Sequence, residues 1–270
     1  MVTLRAAAEQ LGVHYMTAYR HVRTGSLMAV KRDGRWWVDA ADLAAVAADP
    51  SAPPPPKGSP GRAAQRQRLR NRLLAGDEAG AWTLVELAMA SGASPTAVYL
   101  ELLAPVLRDI GEQWAAKNVS VAQEHQATSA ALRLMGRLGP RFTRPGRTPG
   151  TLIVASAPDD HHTIPAAMVA DIVRARGFDV VNLGGATPPE ALAEAVAASD
   201  RLLAVGISVG RADNAKAVRA AARAARAAGP DGLVVLIGGP AVRSLDDARR
   251  LGADGWAVDA AELVGVLTAS

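Results

Sequence analysis

The sequence predicts a multidomain α and α/β protein: a small helical head, a four-helix bundle and a doubly wound parallel sheet. Three observations carry that prediction. A stretch at residues 49–62, DPSAPPPPKGSPGR, separates the first 48 residues from the rest. Four consecutive prolines favour extended polyproline II, and Gly and Ser loosen what remains. Residues 63–142 are rich in Ala and Leu, with breaks at Gly76-Asp77, at 91–95 and at 117–120, which leaves four helices as the natural count. From Thr151 the rhythm changes to short apolar runs (TLIVAS, DVVNLG, LLAVGIS, LVVLIGG) alternating with Ala-rich helical stretches. That alternation, over residues 151–270, is the pattern of a parallel sheet covered by helices on both faces. Residues 143–150, TRPGRTPG, form a second, shorter linker.

Composition narrows the function classes. Hydrophobic residues make up 49% of the 270, but aromatic ones only 4%, so Ala, Val and Leu must fill the cores. No apolar run approaches the ~20 residues that span a bilayer. The opening MVTLRAAAEQ lacks the apolar core of a signal peptide, so a cytoplasmic protein without a membrane partner is expected. The absence of cysteine excludes disulfide frameworks, zinc–cysteine clusters and thiol nucleophiles. Charge is distributed unevenly. Residues 1–72 hold 12 Lys+Arg against 5 Asp+Glu, residues 73–150 hold 7 against 7, and residues 151–270 hold 11 against 14. A basic head on a neutral or acidic body is the footprint of nucleic-acid binding, although a solvated basic surface has the same charge.

Within residues 1–48, TLRAAAEQLGVHYMTAYRHVRTGSL reads as helix, tight turn, helix. Thr3 caps the first helix, Gly12 breaks it and Thr17 lies at the start of the second. Ala7, Ala8, Leu11, Val13, Ala18 and Val22 form the shared core. His14, Tyr15, Thr17, Tyr19, Arg20 and Arg23 are left for the outer face, where short polar side chains and arginines can meet base edges and phosphates. In the following VKRDGRWWVDAADL, Asp33-Gly34 signals a two-residue hairpin. Lys31, Arg32 and Arg35 flank it, as in a wing lying along a phosphate backbone, and Asp39 caps a closing helix. One of Trp36 and Trp37 is expected in the core and the other at the surface. This order, with the second helix ending in x-Gly-x-Leu, resembles the winged helix-turn-helix heads of the MerR and excisionase-like families over about 45 residues. The resemblance implies a double-stranded DNA operator as partner; a protein-interaction module is the alternative.

The informative stretch of the bundle is DIGEQWAAKNVSVAQEHQATSAALRLM, residues 109–135. Trp114 ends one apolar helix, a polar turn follows, and Val121, Glu124 and His125 open the next. On spacing alone the favoured reading is Trp114 as a core aromatic and Glu124-His125 as a solvated helix start, against convergence of the three at a helix–helix corner. The pattern W-x9-E-H, with Val at the seventh position after Trp, is similar to the helical cap of the cobalamin-dependent MerR-type regulators, the CarH/LitR photoreceptor family. That likeness implies that Trp114, Val121, Glu124 and His125 contact the upper face of the corrin. The light-sensing members carry a His directly after the Trp, where this chain has Ala115.

After the first apolar run of the C-terminal third comes SAPDDHHTIP, two carboxylates and two imidazoles at the carboxyl end of a strand. Open parallel sheets bind ligands at that end. Imidazole suits cobalt, and a carboxylate on its other nitrogen fixes the tautomer. The spacing resembles the cobalamin signature D-x-H-x-x-G, later S-x-L, later G-G. It aligns Asp160 and His162, then Ser208, then Gly238-Gly239, with His162 as the lower axial cobalt ligand and Asp160 as its partner. An alternative register uses Asp159 and His161. Pro165 stands at the glycine position, where it would stiffen the loop and remove an amide donor, and Gly210 stands where the pattern has Leu. Thr187-Pro188 reads as cap and first residue of a helix.

Taken together, the resemblance covers all three segments in family order and implies a winged helix-turn-helix head, a four-helix-bundle cap and a flavodoxin-like cobalamin-binding domain. It implies no catalysis. The cofactor would be cobalamin, adenosylcobalamin first and methylcobalamin second. The protein would be an oligomeric (dimeric or tetrameric) transcription regulator, a repressor responsive to the upper ligand and thereby to light. The alternatives are a corrinoid methyl carrier of a methyltransferase system and a regulator of this fold that has lost cobalamin.

Overall fold

The computed structural model describes residues 1–24, 27, 29–32, 35–38, 43 and 60–257. The chain divides into two compact units, with the break between Leu134 and Met135. Among the described residues no helix is long and apolar enough to cross a membrane.

The head runs β1 (Val2–Thr3), α1 (Leu4–Gln10), α2 (Tyr15–Thr24), β2 (Ala29–Arg32) and β3 (Arg35–Val38). Thr3 Oγ1 accepts the Ala6 N–H at 3.2 Å and caps α1. Gly12, at φ 65°, supplies the left-handed turn that a side chain would resist. Helix α2 begins two residues before Thr17, because His14 Nδ1 accepts the Met16 N–H at 3.3 Å and serves its first turn. The strands form an antiparallel sheet in the order β1-β3-β2, with Val2 opposite Val38 and Arg32 opposite Arg35. Leu4, Ala7, Ala8, Ala18 and Val38 are buried, and Leu11, Val13 and Val22 pack against them. Trp36 and Trp37 are both half-buried, and Trp36 packs against this core, so the expected division is one of packing and not of full burial against full exposure. An indole is too large for a domain this small to cover completely. The expected Asp33-Gly34 turn, the Asp39 cap and the linker up to residue 59 lie outside the described residues.

The bundle begins with α3 (Pro60–Leu74) and α4 (Glu78–Ala90). A helical rod follows, made of α5 (Pro95–Ala97), a π-helical segment (Val98–Leu103) and α6 (Ala104–Ala115), and α7 (Val121–Leu138) completes the set. Leu69, Leu73, Trp82, Val85, Tyr99, Leu103 and Ile110 are buried in its core. The π segment has an identifiable cause. Pro105 has no N–H to give to the carbonyl of Glu101, four residues back. The helix widens before it, so that Ala104 N–H reaches Tyr99 O, and Arg66 Nε from α3 donates to the freed Glu101 carbonyl at 2.8 Å.

The C-terminal unit is a five-stranded parallel sheet in the order β5-β4-β6-β7-β8. Its elements are β4 (Thr151–Ser156), α8 (Thr163–Arg174), β5 (Asp179–Gly184), α9 (Pro189–Ala197), β6 (Leu202–Ser208), α10 (Ala215–Ala228), β7 (Val234–Gly238), α11 (Leu245–Arg250) and β8 (Gly255–Ala257). Strand residues alternate between two cores, as a period of two requires. Ile153, Ala155, Val205 and Ile207 pack with Leu192 and Val196 of α9 and with Val218, Ala221, Ala222 and Ala225 of α10. Leu152, Ala204 and Leu236 pack with Val173 of α8 and with Phe178. Helix α9 starts one residue later than expected. Pro188 is its N-cap and Pro189 its first residue, while Thr187 is buried, its hydroxyl 3.5 Å from Gly184 O. A second proline pre-set for the first helical position accounts for the shift.

Candidate functional site

Strand order reverses between β4 and β6, so the loops leaving these strands flank the crevice where open α/β sheets take ligands. Both loops are tied down. Ala157 N–H donates to Ser208 O at 2.8 Å, and Ser156 Oγ donates to His162 O at 2.8 Å. Asn214 Nδ2 donates to Pro158 O at 2.9 Å, and Ala186 N–H to Asp160 O at 2.7 Å. Asp159 takes a left-handed φ of 61°, which Asp tolerates better than most residues, and this turns Asp160 inward.

Asp160 is the centre of the arrangement. It is 1% exposed, yet its carboxylate is fully engaged. Oδ1 lies 2.6 Å from His162 Nδ1 and accepts the His162 N–H at 3.1 Å. Oδ2 accepts the Gly210 N–H at 2.5 Å. With Nδ1 carrying the proton toward the carboxylate, Nε2 of His162 keeps its lone pair free, and the side chain is 63% exposed. Asp159 and His161 are both exposed, and the carboxylate contacts run through Asp160 and His162, which is what the first of the two registers requires. Pro165 lacks an N–H as expected, but it lies in the helix and not in the loop, and its missing donor costs the helix no hydrogen bond. It sits in the first turn of α8, where amides have no intrahelical partner.

Ser208 ends β6 opposite Ser156 on one side and Gly238 on the other. Gly239, at φ 106°, approaches Val209 so closely that a Cβ would fall 2.6 Å from the Val209 carbonyl oxygen. A cofactor that needs bare backbone and an imidazole at the strand ends fits this set. The residues that sequence reasoning missed are Ser156 and Asn214, which hold the loop. A polar residue at the end of an apolar strand run was the available signal for Ser156.

In the bundle, Trp114 is 45% exposed and Val121 is 55% exposed. They bracket a turn held by a reciprocal capping box: Ser120 N–H donates to Gln123 Oε1 at 3.0 Å, and Gln123 N–H to Ser120 Oγ at 3.2 Å. Glu124 accepts from Thr128 Oγ1 at 2.8 Å and lies 3.7 Å from His125 Nε2. The core-aromatic reading of Trp114 does not hold in this structure.

Residues 65–138 and residues 150–264 each match a family model described as a B12 binding domain. This chain carries two B12-binding domains. Cobalamin is the cofactor that such domains bind, and the Asp160–His162 pair lies inside the second of them. Over 151 residues, 56% of the chain, the sequence is 33% identical to the HTH-type transcriptional repressor CarH of Myxococcus xanthus, and the chain spans about half (49%) of that relative's length. The monomethylamine corrinoid protein of Methanosarcina barkeri shares the fold, with a TM-score of 0.66 at 22% identity over 77% of this chain and 100% of that one.

On the head, His14, Tyr15 and Arg35 are exposed and Thr17 is half-exposed. Arg5, Tyr15, Arg35 and Trp36 line one concavity, which adds Arg5 to the basic set. Tyr19, expected on the outer face, is turned partly inward. It stacks on Tyr15 at 6.5 Å and meets the edge of Trp36 at 6.2 Å, joining α2 to the hairpin. The side chains of Arg20, Arg23, Lys31 and Arg32 lie outside the described residues.

Proposed function

We infer that this chain is a cobalamin-responsive transcription regulator, a repressor by its likeness to CarH, rather than an enzyme. The observation that carries the reading is one chain joining two B12-binding domains to a basic head of two helices and a hairpin. His162 Nε2 would coordinate the cobalt, and Asp160 would fix the ring's tautomer and raise its basicity. Ser208, Gly238 and Gly239 would admit the nucleotide tail at the strand ends. By the likeness to the cobalamin-dependent regulators, Trp114, Val121, Glu124 and His125 would be the bundle's residues for the corrinoid. When bound, cobalamin supplies a cobalt centre whose upper ligand can be exchanged.

In the head, His14, Tyr15 and Thr17 at the start of α2 meet base edges, and Arg5, Arg20, Arg23, Lys31, Arg32 and Arg35 meet phosphates of a double-stranded operator. Such heads work on paired half-sites, which fits a dimer or tetramer. Ala115 offers no lone pair to a metal, so the reading is of a sensor of cobalamin itself. The experiment is the visible spectrum of the protein with adenosylcobalamin in the dark, before and after green light, for wild type and His162→Ala. Wild type should retain the corrinoid, and H162A should bind more weakly with a changed spectrum. Failure of wild type to retain it would sink the reading, and a light-induced change would restore light as the signal. The fold shared with a corrinoid protein keeps a methyl carrier as the second reading. Retained cobalamin without binding to any duplex DNA would favour it.

A further inference from the structure

Gly210 departs from the S-x-L pattern that the sequence otherwise resembles, and it stands directly against the Asp160–His162 pair. A Cβ on Gly210 would fall 2.8 Å from Asp160 Oδ2, 3.1 Å from His162 Nδ1 and 3.2 Å from Asp160 Oδ1. These atoms cannot swing away cheaply. Asp160 is buried, and its carboxylate holds the Gly210 amide, the His162 amide and the His162 ring at once, so a retreat stretches three hydrogen bonds. The backbone itself does not demand glycine here, because Gly210 is not among the glycines with left-handed φ. Alanine at 210 would carry no φ strain. The requirement for a bare α-carbon is therefore set by the pair.

We propose that Gly210 is a positioning residue for the lower-ligand histidine. Its unobstructed amide docks on Asp160 and so presets the His162 ring with Nδ1 engaged and Nε2 left for the metal. The proposal rests on the reading of His162 as the cobalt ligand. Ser156 and Asn214 tie the loop through its carbonyls and do not touch the carboxylate. Among the described residues, Gly210 is the one partner of that carboxylate from outside the loop. It also makes sense of the departure in sequence. Any side chain at 210 would start from that same Cβ and meet the same carboxylate.

The test uses full-length protein uniformly labelled with nitrogen-15 and loaded with unlabelled cob(II)alamin, read by low-temperature electron paramagnetic resonance. A protein imidazole on cobalt splits the lines into doublets, and the cofactor's own base splits them into triplets. Wild type should give doublets. Gly210→Ala should bind about 10-fold or more weakly, the scale of losing an outer-shell partner, with doublets giving way to triplets. In an Asp160→Ala background the same substitution should add nothing, because the carboxylate it collides with is gone and the His162 ring that the carboxylate held is free to turn aside. Circular dichroism melts of the unloaded proteins report folding. Should G210A alone fail to fold, recovery of folding in the double variant supports the same clash, and failure there overturns it. Unchanged doublets and affinity in G210A, or an undiminished penalty in the D160A background, would overturn the proposal alone. Triplets in wild type would overturn the His162 reading and the proposal with it.

Discussion

Trp82 and Trp114 belong to the same bundle and differ in cover. Trp82 is 7% exposed and Trp114 is 45% exposed. Replacing a buried indole removes its packing and leaves a cavity, at a cost of about 3–5 kcal/mol. A half-exposed indole with no structural duty costs about 0.5 kcal/mol or less. Trp114→Ala should therefore leave the urea midpoint of the unloaded protein almost unchanged while weakening cobalamin binding, and Trp82→Ala should lower the midpoint strongly. A large loss of stability in W114A would return Trp114 to the core. Spacing could not separate the two roles, because a tryptophan at the end of an apolar helix has the same signature in both. The loop was legible, since two carboxylates and two imidazoles after a strand are uncommon, but the sequence left the Asp159–His161 register open, and the burial of Asp160 between donors is visible only in the structure. The part played by Gly210 was not legible. Its amide reaches Asp160 from fifty positions along the chain, and no local pattern records that.

At the scale of elements, β4 to β7 were legible because each apolar run is short and bounded by turns, while β8, at three residues, gives no such run; the four helices were legible because their breaks fall at Gly, Ser, Asp and Lys-Asn. The π segment was not. It depends on Pro105 together with a donor on another helix, and neither implies the other in sequence. Arg66 supplies that donor, and the consequence is measurable. Arg66→Ala leaves the Glu101 carbonyl without the N–H that Pro105 cannot provide, at a cost of about 1–3 kcal/mol. In a Pro105→Ala background the helix can close its own bond, so the same substitution should cost less, by about 0.5 kcal/mol or more. Chemical denaturation of the four proteins gives the cycle. Equal penalties in both backgrounds would mean that Arg66 acts only through its charge. Helix α10 makes a related point about packing. With few aromatics in the chain, Ala221, Ala222 and Ala225 form its buried face with Val218, and small side chains let it lie close to the sheet. An alanine-rich run there is a core element.

For the whole molecule, the question is whether head and sensor act on each other. Two modules on one chain can bind their ligands independently, and then neither domain's match nor the head's charge makes a regulator. A regulator requires a coupling free energy between the sites, and linkage makes it reciprocal. If cobalamin changes operator affinity by some factor, the operator must change cobalamin affinity by the same factor, typically 5–150-fold for about 1–3 kcal/mol. The expectation is that both factors exceed fivefold and agree. Operator affinity is measured by fluorescence anisotropy with and without cobalamin at one salt concentration, because phosphate contacts make any affinity salt-dependent. Cobalamin affinity is measured by visible titration with and without the duplex. Cobalamin that promotes assembly would raise operator affinity through paired half-sites, so light scattering on the same samples should register the change in mass. His162→Ala should weaken cobalamin binding without touching the head, and by linkage whatever it does to one factor it must do equally to the other. Two factors of one would leave the B12-binding domains and the head as independent neighbours, and the methyl-carrier reading would then have to account for a basic head with nothing to report to.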